Sequence, residues 1–215
     1  MITRRRTICF ILSALLLSSC TLFKSDTPHR VVQVKALADP ALRERNRHWG
    51  EEVRGLIEAS SDYFENEFGI RFVTQDAAPW PVHERIRSTP DLLARLKRDF
   101  PVKDNSYDLI IAFTAESTSR YVRAGRPRVD RIGNCHEGLG NYVVTSISRP
   151  FRYTGATTEA SIDVIALIHE LGHIFGAEHT QDTGSIMNEN FDYRSEFDMK
   201  NRSIILNNKN CPFAK

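Results

Sequence analysis

The sequence has almost no excess charge, because its 29 Lys and Arg residues are balanced by 27 Asp and Glu residues. This balance excludes the strongly basic binding face of a nucleic-acid-binding domain, so we expect no nucleic-acid partner. Internal repeats and low-complexity segments are also absent. The chain is long enough to bury one hydrophobic core, which two lobes around a cleft could share, and we expect a monomer.

The sequence also lacks an apolar run long enough to cross a membrane as a stable helix. Its most apolar stretch, residues 8–17, follows Arg4, Arg5 and Arg6, and this order is typical of an export signal. The stretch ends in Leu17-Ser18-Ser19-Cys20, which resembles a bacterial lipobox. It predicts a signal peptide over residues 1–19 and lipidation of Cys20. Alternatively, an ordinary secretory signal is cut nearby and Cys20 has no special role.

A lipidated Cys20 predicts a protein anchored to a membrane of the bacterial cell envelope. Thr21 stands where aspartate is often associated with inner-membrane retention, which favours the outer membrane and leaves the periplasmic or external side open. Residues 20–29 are polar and suit a tether in front of a domain over residues 30–215. Loss of three arginines with the signal reduces 29 basic side chains to 26, against 27 acidic ones, for a net charge near −1.

Cysteine is scarce, with four residues in the whole chain. If Cys9 leaves with the signal and Cys20 carries lipid, Cys135 and Cys211 remain as an even pair in an oxidising compartment. This count predicts a disulfide between Cys135 and Cys211, and two buried free thiols are the alternative.

The most informative stretch is residues 169–179, which follow the spacing H-E-x-x-H-x-x-G-x-x-H. Residues four apart on a helix share one face, so His169 and His173 can bind one metal ion while Glu170 lies free beside them. Gly176 can end the helix in a left-handed conformation, and the chain can then return with His179 as a third ligand. Three ligands leave one position of a zinc ion for water, which predicts a hydrolytic Zn²⁺ site. The alternatives are hydrogen-bonded core histidines or a structural zinc site, which normally has four protein ligands.

Ser185-Ile186-Met187-Asn188 follows the third histidine, and with it residues 162–188 resemble the metzincin clan of zinc endopeptidases, in which a methionine turn underlies the metal. The resemblance implies that Glu170 is the general base and Met187 the turn methionine, and that zinc is bound by His169, His173 and His179. Alone, Met187 would be a core residue.

Two positions set this chain apart from particular metzincin families. Thr180 follows the third histidine where some families carry other characteristic residues, so the subfamily stays open. Glu189 stands two residues after Met187, where astacin-like and serralysin-like members have a tyrosine that binds zinc. Tyr193 comes four residues later and is interpreted as a pocket-wall or packing residue.

The fold class implied by the resemblance is α+β. An upper lobe would contain a twisted mixed five-stranded sheet and two helices, and a smaller lower lobe would contain the methionine turn and a C-terminal helix. Periodicity agrees with this order of elements. It predicts strands over residues 31–36, 70–74, 107–113, 129–132 and 141–147, and helices over residues 40–68, 90–100, 158–175 and 195–208, the third of these helices capped by Thr157 or Thr158.

The reaction expected from such a site is hydrolysis of peptide bonds, with zinc making a bound water more acidic and Glu170 taking its proton. An extended substrate would add to an edge strand, for which residues 140–147 are the candidate, and residues 188–193 would wall the pocket. Five arginines could steer acidic substrates or lipid head groups, although a solvated loop and strand explains them as well: Arg120, Arg123, Arg126, Arg128 and Arg131.

Two other functions compete with an envelope endopeptidase. One is a zinc-containing adhesion or binding lipoprotein without catalysis, against which the presence of Glu170 argues. The other is an amidase acting on the peptide part of the cell wall.

Overall fold

A computed structural model describes residues 30–82, 89–101, 106–115, 128–155, 161–189 and 196–214, with Thr89 described by its main chain alone. The elements follow in the order β1 (Arg30–Ala38), α1 (Pro40–Arg45), α2 (Trp49–Phe68), β2 (Ile70–Pro79), α3 (Thr89–Asp99), β3 (Leu109–Thr114), β4 (Tyr142–Ser146), α4 (Ile162–Ile174) and α5 (Met199–Asn208). None of these helices combines the length and apolarity that a membrane span requires. The predicted signal peptide, Cys20 and the tether lie outside the described residues.

Within the described residues the sheet has four strands in the order β2-β1-β3-β4, and every pair of neighbours is parallel. It differs from the predicted five-stranded mixed sheet, because the predicted strand over residues 129–132 forms one antiparallel bridge, between Val129 and Val143. The ladder ends there because Asp130 Oδ1 accepts the backbone N–H groups of Asn141 and Tyr142. Beyond it, the Gly133 N–H donates to the His173 carbonyl oxygen, and the segment leaves the sheet.

Both faces of the sheet are covered, as is usual for parallel strands. One face packs against α2 and α4 in the larger core, and the other packs against α3 in a smaller core around Trp80 and Tyr142. Strands β3 and β4 are therefore buried along almost their whole length. Because β4 is buried, its C-terminal end, from which the chain continues to α4, has a fixed position.

The predicted helix over residues 40–68 is two helices, because the chain leaves the helical conformation at Asn46, with φ −137° and ψ 115°. The Asn46 side chain accepts the N–H of His48 and donates to Glu52, which favours a turn over a continued helix. Helix α2 then ends at Gly69, whose φ of 65° is left-handed.

The two C-terminal helices are positioned by side-chain caps. Ser161 accepts the N–H of Val164 and caps α4, which starts later than predicted, and Thr157 and Thr158 lie outside the described residues. Asp198 caps α5.

Cys135 and Cys211 form a disulfide, with their Cα atoms 4.9 Å apart, which ties the segment after α5 to the loop before β4.

Candidate metal centre and active site

Three histidines from two neighbouring segments converge on one point. His169 and His173 lie one turn apart on α4, and His179 follows the turn after that helix. The three Nε2 atoms are each 3.2 Å from the other two. Corners of a tetrahedral zinc site are about 3.3 Å apart when each Zn–N bond is about 2.05 Å, so the spacing suits zinc.

The other ring nitrogen of each histidine is held by a protein oxygen. Nδ1 of His169 lies 2.7 Å from the Ile186 carbonyl oxygen, and Nδ1 of His173 lies 2.7 Å from that of Ala177. Carbonyl oxygens only accept hydrogen bonds, so these Nδ1 atoms carry the protons and the Nε2 atoms carry lone pairs. Lone pairs that point at one another repel, and a cation between them removes the repulsion.

Burial keeps the imidazoles of His169 and His173 neutral. It lowers the pKa of His169 to about 3, with a further contribution from the charge of His173, and it lowers the pKa of His173 to about 4. Both rings are therefore neutral near pH 7, as metal binding requires.

The turn after α4 depends on Gly176. Its φ is 96°, and a Cβ atom there would lie 2.4 Å from the Gly133 carbonyl oxygen and 2.4 Å from Asn208 Nδ2. Only glycine fits this conformation and this space. The predicted helix end at Gly176 is therefore confirmed, and the turn places His179 opposite α4.

Met187 is fully buried below the ligand helix. A Cβ atom on Gly172, which lies between the two helical histidines, would be 2.9 Å from Met187 Sδ and 2.8 Å from a ring carbon of Phe197. The backbone N–H of Thr180, the residue after His179, donates to the Met187 carbonyl oxygen. The side-chain amide of Asn188 donates to the Thr180 carbonyl oxygen. These bonds join the methionine segment to the segment that carries His179.

Glu170 follows the first histidine and its side chain is buried. Its Oε2 accepts the backbone N–H of Arg128 at 2.9 Å. Burial raises the pKa of Glu170 to about 7, while the charge and the N–H of Arg128 act in the opposite direction. A carboxyl group with such a pKa can both take and release a proton near neutral pH.

Glu189 is bound to the third histidine, with Oε1 3.1 Å from Nδ1 of His179. The sequence marks Glu189 as a departure from other metzincins but does not reveal this contact. The sequence did, however, contain a signal for this contact. Glu189 stands two positions after Met187, and other families reach the metal from that position.

The known proteins that this chain resembles agree with the geometry of the site. The family described as "Reprolysin_5: Metallo-peptidase family M12" matches residues 28–213. The chain belongs to metallo-peptidase family M12. It is a metzincin-clan metalloprotease, as the motif predicted.

Among solved structures, this M12 member is similar in fold to the archaemetzincin (amzA) of Methanopyrus kandleri, with a TM-score of 0.52 and 17% identity. The match covers 86% of this chain and 98% of the other. No curated protein matches the chain. The family implies a metal, typically zinc, and the triad of His169, His173 and His179 fits that ion.

The remaining predicted site residues of this M12 member lie in different places. Arg128 lies beside Glu170, and Arg131 lies next to Asp130 at the protein surface. Tyr193 and the other three predicted arginines, Arg120, Arg123 and Arg126, fall outside the described residues.

Proposed function

We propose that this chain is a zinc-dependent endopeptidase in which His169, His173 and His179 hold the metal and Glu170 is the general base. The observation that carries the proposal is the convergence of three imidazoles, each with its Nδ1 held by a protein oxygen, beside a buried carboxylate. Zinc would supply Lewis acidity at the scissile carbonyl and make the attacking water more acidic.

Glu170 is suited to move the protons of this reaction. Its Oε2 is fixed by the Arg128 N–H, whereas Oε1 has no hydrogen bond with the described residues. That oxygen is free to accept a proton from the attacking water and pass it to the leaving amine. Met187, packed against Gly172, would keep the helical ligands in place from below and serve as the turn methionine.

For the substrate-binding edge we favour Val129 over β4, the edge that the sequence predicted, because residues 128–130 bridge to β4 on the side opposite β3. The outer position belongs to Val129. Val144 N–H donates to the Arg128 carbonyl and Asp130 N–H to that of Tyr142, so the N–H and C=O of Val129 point away from β4. An extended peptide would add to the sheet at Val129.

The test is cleavage of a diverse peptide library by the purified protein, read by mass spectrometry, in parallel with Glu170→Gln. Zinc content is measured for both proteins. We expect both to carry zinc and the variant to lose about 100-fold or more in kcat/KM, because the proton acceptor is gone. If both carry zinc and neither cuts, a binding lipoprotein or a wall-peptide amidase replaces this proposal, and cleavage of wall fragments distinguishes the two.

We further propose that Cys20 anchors the enzyme to the envelope through lipid, the outer membrane being favoured. The support is the lipobox-like Leu17-Ser18-Ser19-Cys20 after a basic and an apolar stretch. Growth with a labelled fatty acid should label the wild type and leave Cys20→Ser unlabelled. A labelled Cys20→Ser protein contradicts this assignment.

A further inference from the structure

Arg128 is a buried arginine whose side chain contacts no counter-charge among the described residues. The residue is 8% exposed, and its guanidinium forms no hydrogen bond or ion pair with any residue that the structure describes. Its neighbour Arg131, in contrast, lies 3.7 Å from Asp130 and donates to the Glu137 carbonyl oxygen. Burying a guanidinium without a partner is energetically costly. Arg128 is therefore better explained by a ligand than by the stability of the fold.

The guanidinium of Arg128 is accessible to solvent, and its charge acts on the metal site. Its nitrogen atoms are not among the fully enclosed polar atoms that lack a hydrogen-bond partner, so they keep contact with solvent. Burial raises the pKa of Glu170 and lowers that of His169, and the charge of Arg128 makes a smaller contribution that lowers both. The positive charge thus lies near the general base and the first ligand.

Arg128 also lies next to the outer sheet edge. It precedes Val129, whose N–H and C=O point away from β4, and its own N–H is bound to Glu170 Oε2 at 2.9 Å. A peptide that pairs with Val129 and reaches Glu170 would therefore lie beside Arg128.

We propose that Arg128 binds a carboxylate of the peptide substrate, so that the site selects acidic peptides. The carboxylate belongs either to an Asp or Glu side chain close to the scissile bond or to the free C-terminus of the peptide. A guanidinium matches both, because its planar fork binds a carboxylate through two parallel hydrogen bonds. This inference rests on the proposed peptidase function.

Matched peptides test the proposal. One set carries Glu or its isostere Gln at each position within three residues of a cleavage site, and a second set carries a C-terminal acid or amide. Binding is measured with the zinc-loaded full chain carrying Glu170→Gln, which retains peptides uncut, and kcat/KM with the wild type. We expect the acidic member of one set to show binding and kcat/KM about 10- to 100-fold higher than its neutral partner, the factor that a hydrogen bond to a charged group usually contributes. The set that shows the preference identifies the source of the carboxylate.

The substitution Arg128→Gln should remove this preference by weakening the acidic peptides to the level of their neutral partners. It leaves the backbone N–H bond to Glu170 in place, and zinc content and circular dichroism confirm that the variant is folded. Arg128→Lys should keep part of the preference. Arg131→Gln is the matched control, since it removes an arginine three residues away and should keep the whole preference.

Two results overturn the inference. One is equal binding of acidic and neutral peptides, which includes no binding of either. The other is an equal loss for both types in Arg128→Gln, which would make Arg128 a positioning residue for Glu170. Cleavage without acidic preference removes this inference alone. An Arg128-dependent preference in binding without wild-type cleavage removes the peptidase proposal and leaves the carboxylate site standing.

Discussion

Glu189 is the carboxylate that completes the surroundings of the three histidines. Its Oε1 accepts from Nδ1 of His179 at 3.1 Å, which plays the part that backbone carbonyl oxygens play for His169 and His173. Such a partner fixes the ring orientation and makes the opposite nitrogen a better ligand. Its side chain is 49% exposed, so the contact is less enclosed than the other two.

Zinc affinity should fall by about 10- to 100-fold in Glu189→Ala, the usual effect of losing the partner of a ligand histidine. Glu189→Gln should lie between this variant and the wild type, because its amide oxygen still accepts a hydrogen bond. Titration of the apo-protein with zinc against a competing chelator measures the effect. Glu178→Gln is the control, since that exposed glutamate pairs with Lys200 and should leave the affinity unchanged. Equal affinities for Glu189→Ala and the wild type would rule out the role.

At this scale the sequence was most informative where the contacts are local. His169, His173 and Glu170 are fixed by helical spacing alone, and Gly176 by its conformation. The contacts of Glu189 and Arg128 depend on how the segments meet in space, and neither residue has a periodic neighbour that would reveal its partner. Such contacts require the tertiary structure.

Among the elements, α4 and the methionine segment are packed too closely for a side chain at Gly172. The Cβ of an alanine would lie 2.8 Å from the Phe197 ring and 2.9 Å from Met187 Sδ. We expect Gly172→Ala to lower the free energy of unfolding by about 1–3 kcal/mol, as overpacking does, although alanine favours helix formation. Urea unfolding of the apo-protein measures this.

Gly50 gives the matched control in a helix with open space. It lies in the first turn of α2, and no atom of the described residues outside its own helix backbone and chain neighbours comes within 4 Å of its Cβ position. Gly50→Ala should therefore raise the free energy of unfolding by about 0.4–1 kcal/mol. Stabilisation by both substitutions would mean that α4 and the methionine segment can separate without cost.

Asp198 links α5 to the methionine segment and makes stability depend on pH. Its carboxylate accepts the N–H and the side-chain amide of Asn201 and the hydroxyl of Ser185. Burial acts to raise its pKa, but these hydrogen bonds outweigh it and hold the pKa of Asp198 below its usual value. A lowered pKa adds stability that is present above the unfolded value of about 3.9 and is lost as the pH falls through the folded value.

Asp198→Asn should therefore lower the free energy of unfolding by about 1 kcal/mol at pH 7, because an amide has one neutral accepting oxygen in place of two charged ones. The difference between wild type and variant should begin to shrink below about pH 4, where the unfolded chain takes up the proton, and it should vanish at lower pH once the folded carboxylate is protonated as well. Urea unfolding at pH 7 and pH 3.5 checks this. A difference that does not change between the two pH values would show that the charge has no part.

Element boundaries were predictable only in part. Hydrophobic patterns found β1, β2, β3, β4, α3 and the two C-terminal helices, α4 and α5. They missed the break at Asn46 and the loss of the fifth strand, since both arise from single side chains that take backbone hydrogen bonds. Asn46 turns the chain between α1 and α2, and Asp130 ends the ladder after Val129.

For the whole molecule, the clan was predictable from the motif, whereas the arrangement of the sheet was not, because strand order depends on long-range pairing. The C-terminal segment after α5, for example, contacts the loop before β4, which lies far from it in the sequence. Leu139 N–H donates to the Pro212 carbonyl, and Ala214 N–H donates to that of Leu139, beside the disulfide between Cys135 and Cys211. The same loop reaches the site, because Gly133 N–H donates to the His173 carbonyl.

Loss of this disulfide should destabilise the whole domain, because the bond closes a loop with a sequence separation of 76 and so restricts the unfolded chain. A loop of this length corresponds to about 4 kcal/mol, and each kcal/mol shifts Tm by about 2–4 °C in a domain of this size. We expect the variant Cys135→Ala/Cys211→Ala to melt roughly 10 °C below the wild type. Melting is followed by circular dichroism on apo-protein, so that zinc binding by the reductant has no influence. Reductant should lower Tm of the wild type to that of the variant and leave the variant unchanged. An equal shift in both proteins would show that the reductant acts elsewhere and that the bond does not stabilise the fold.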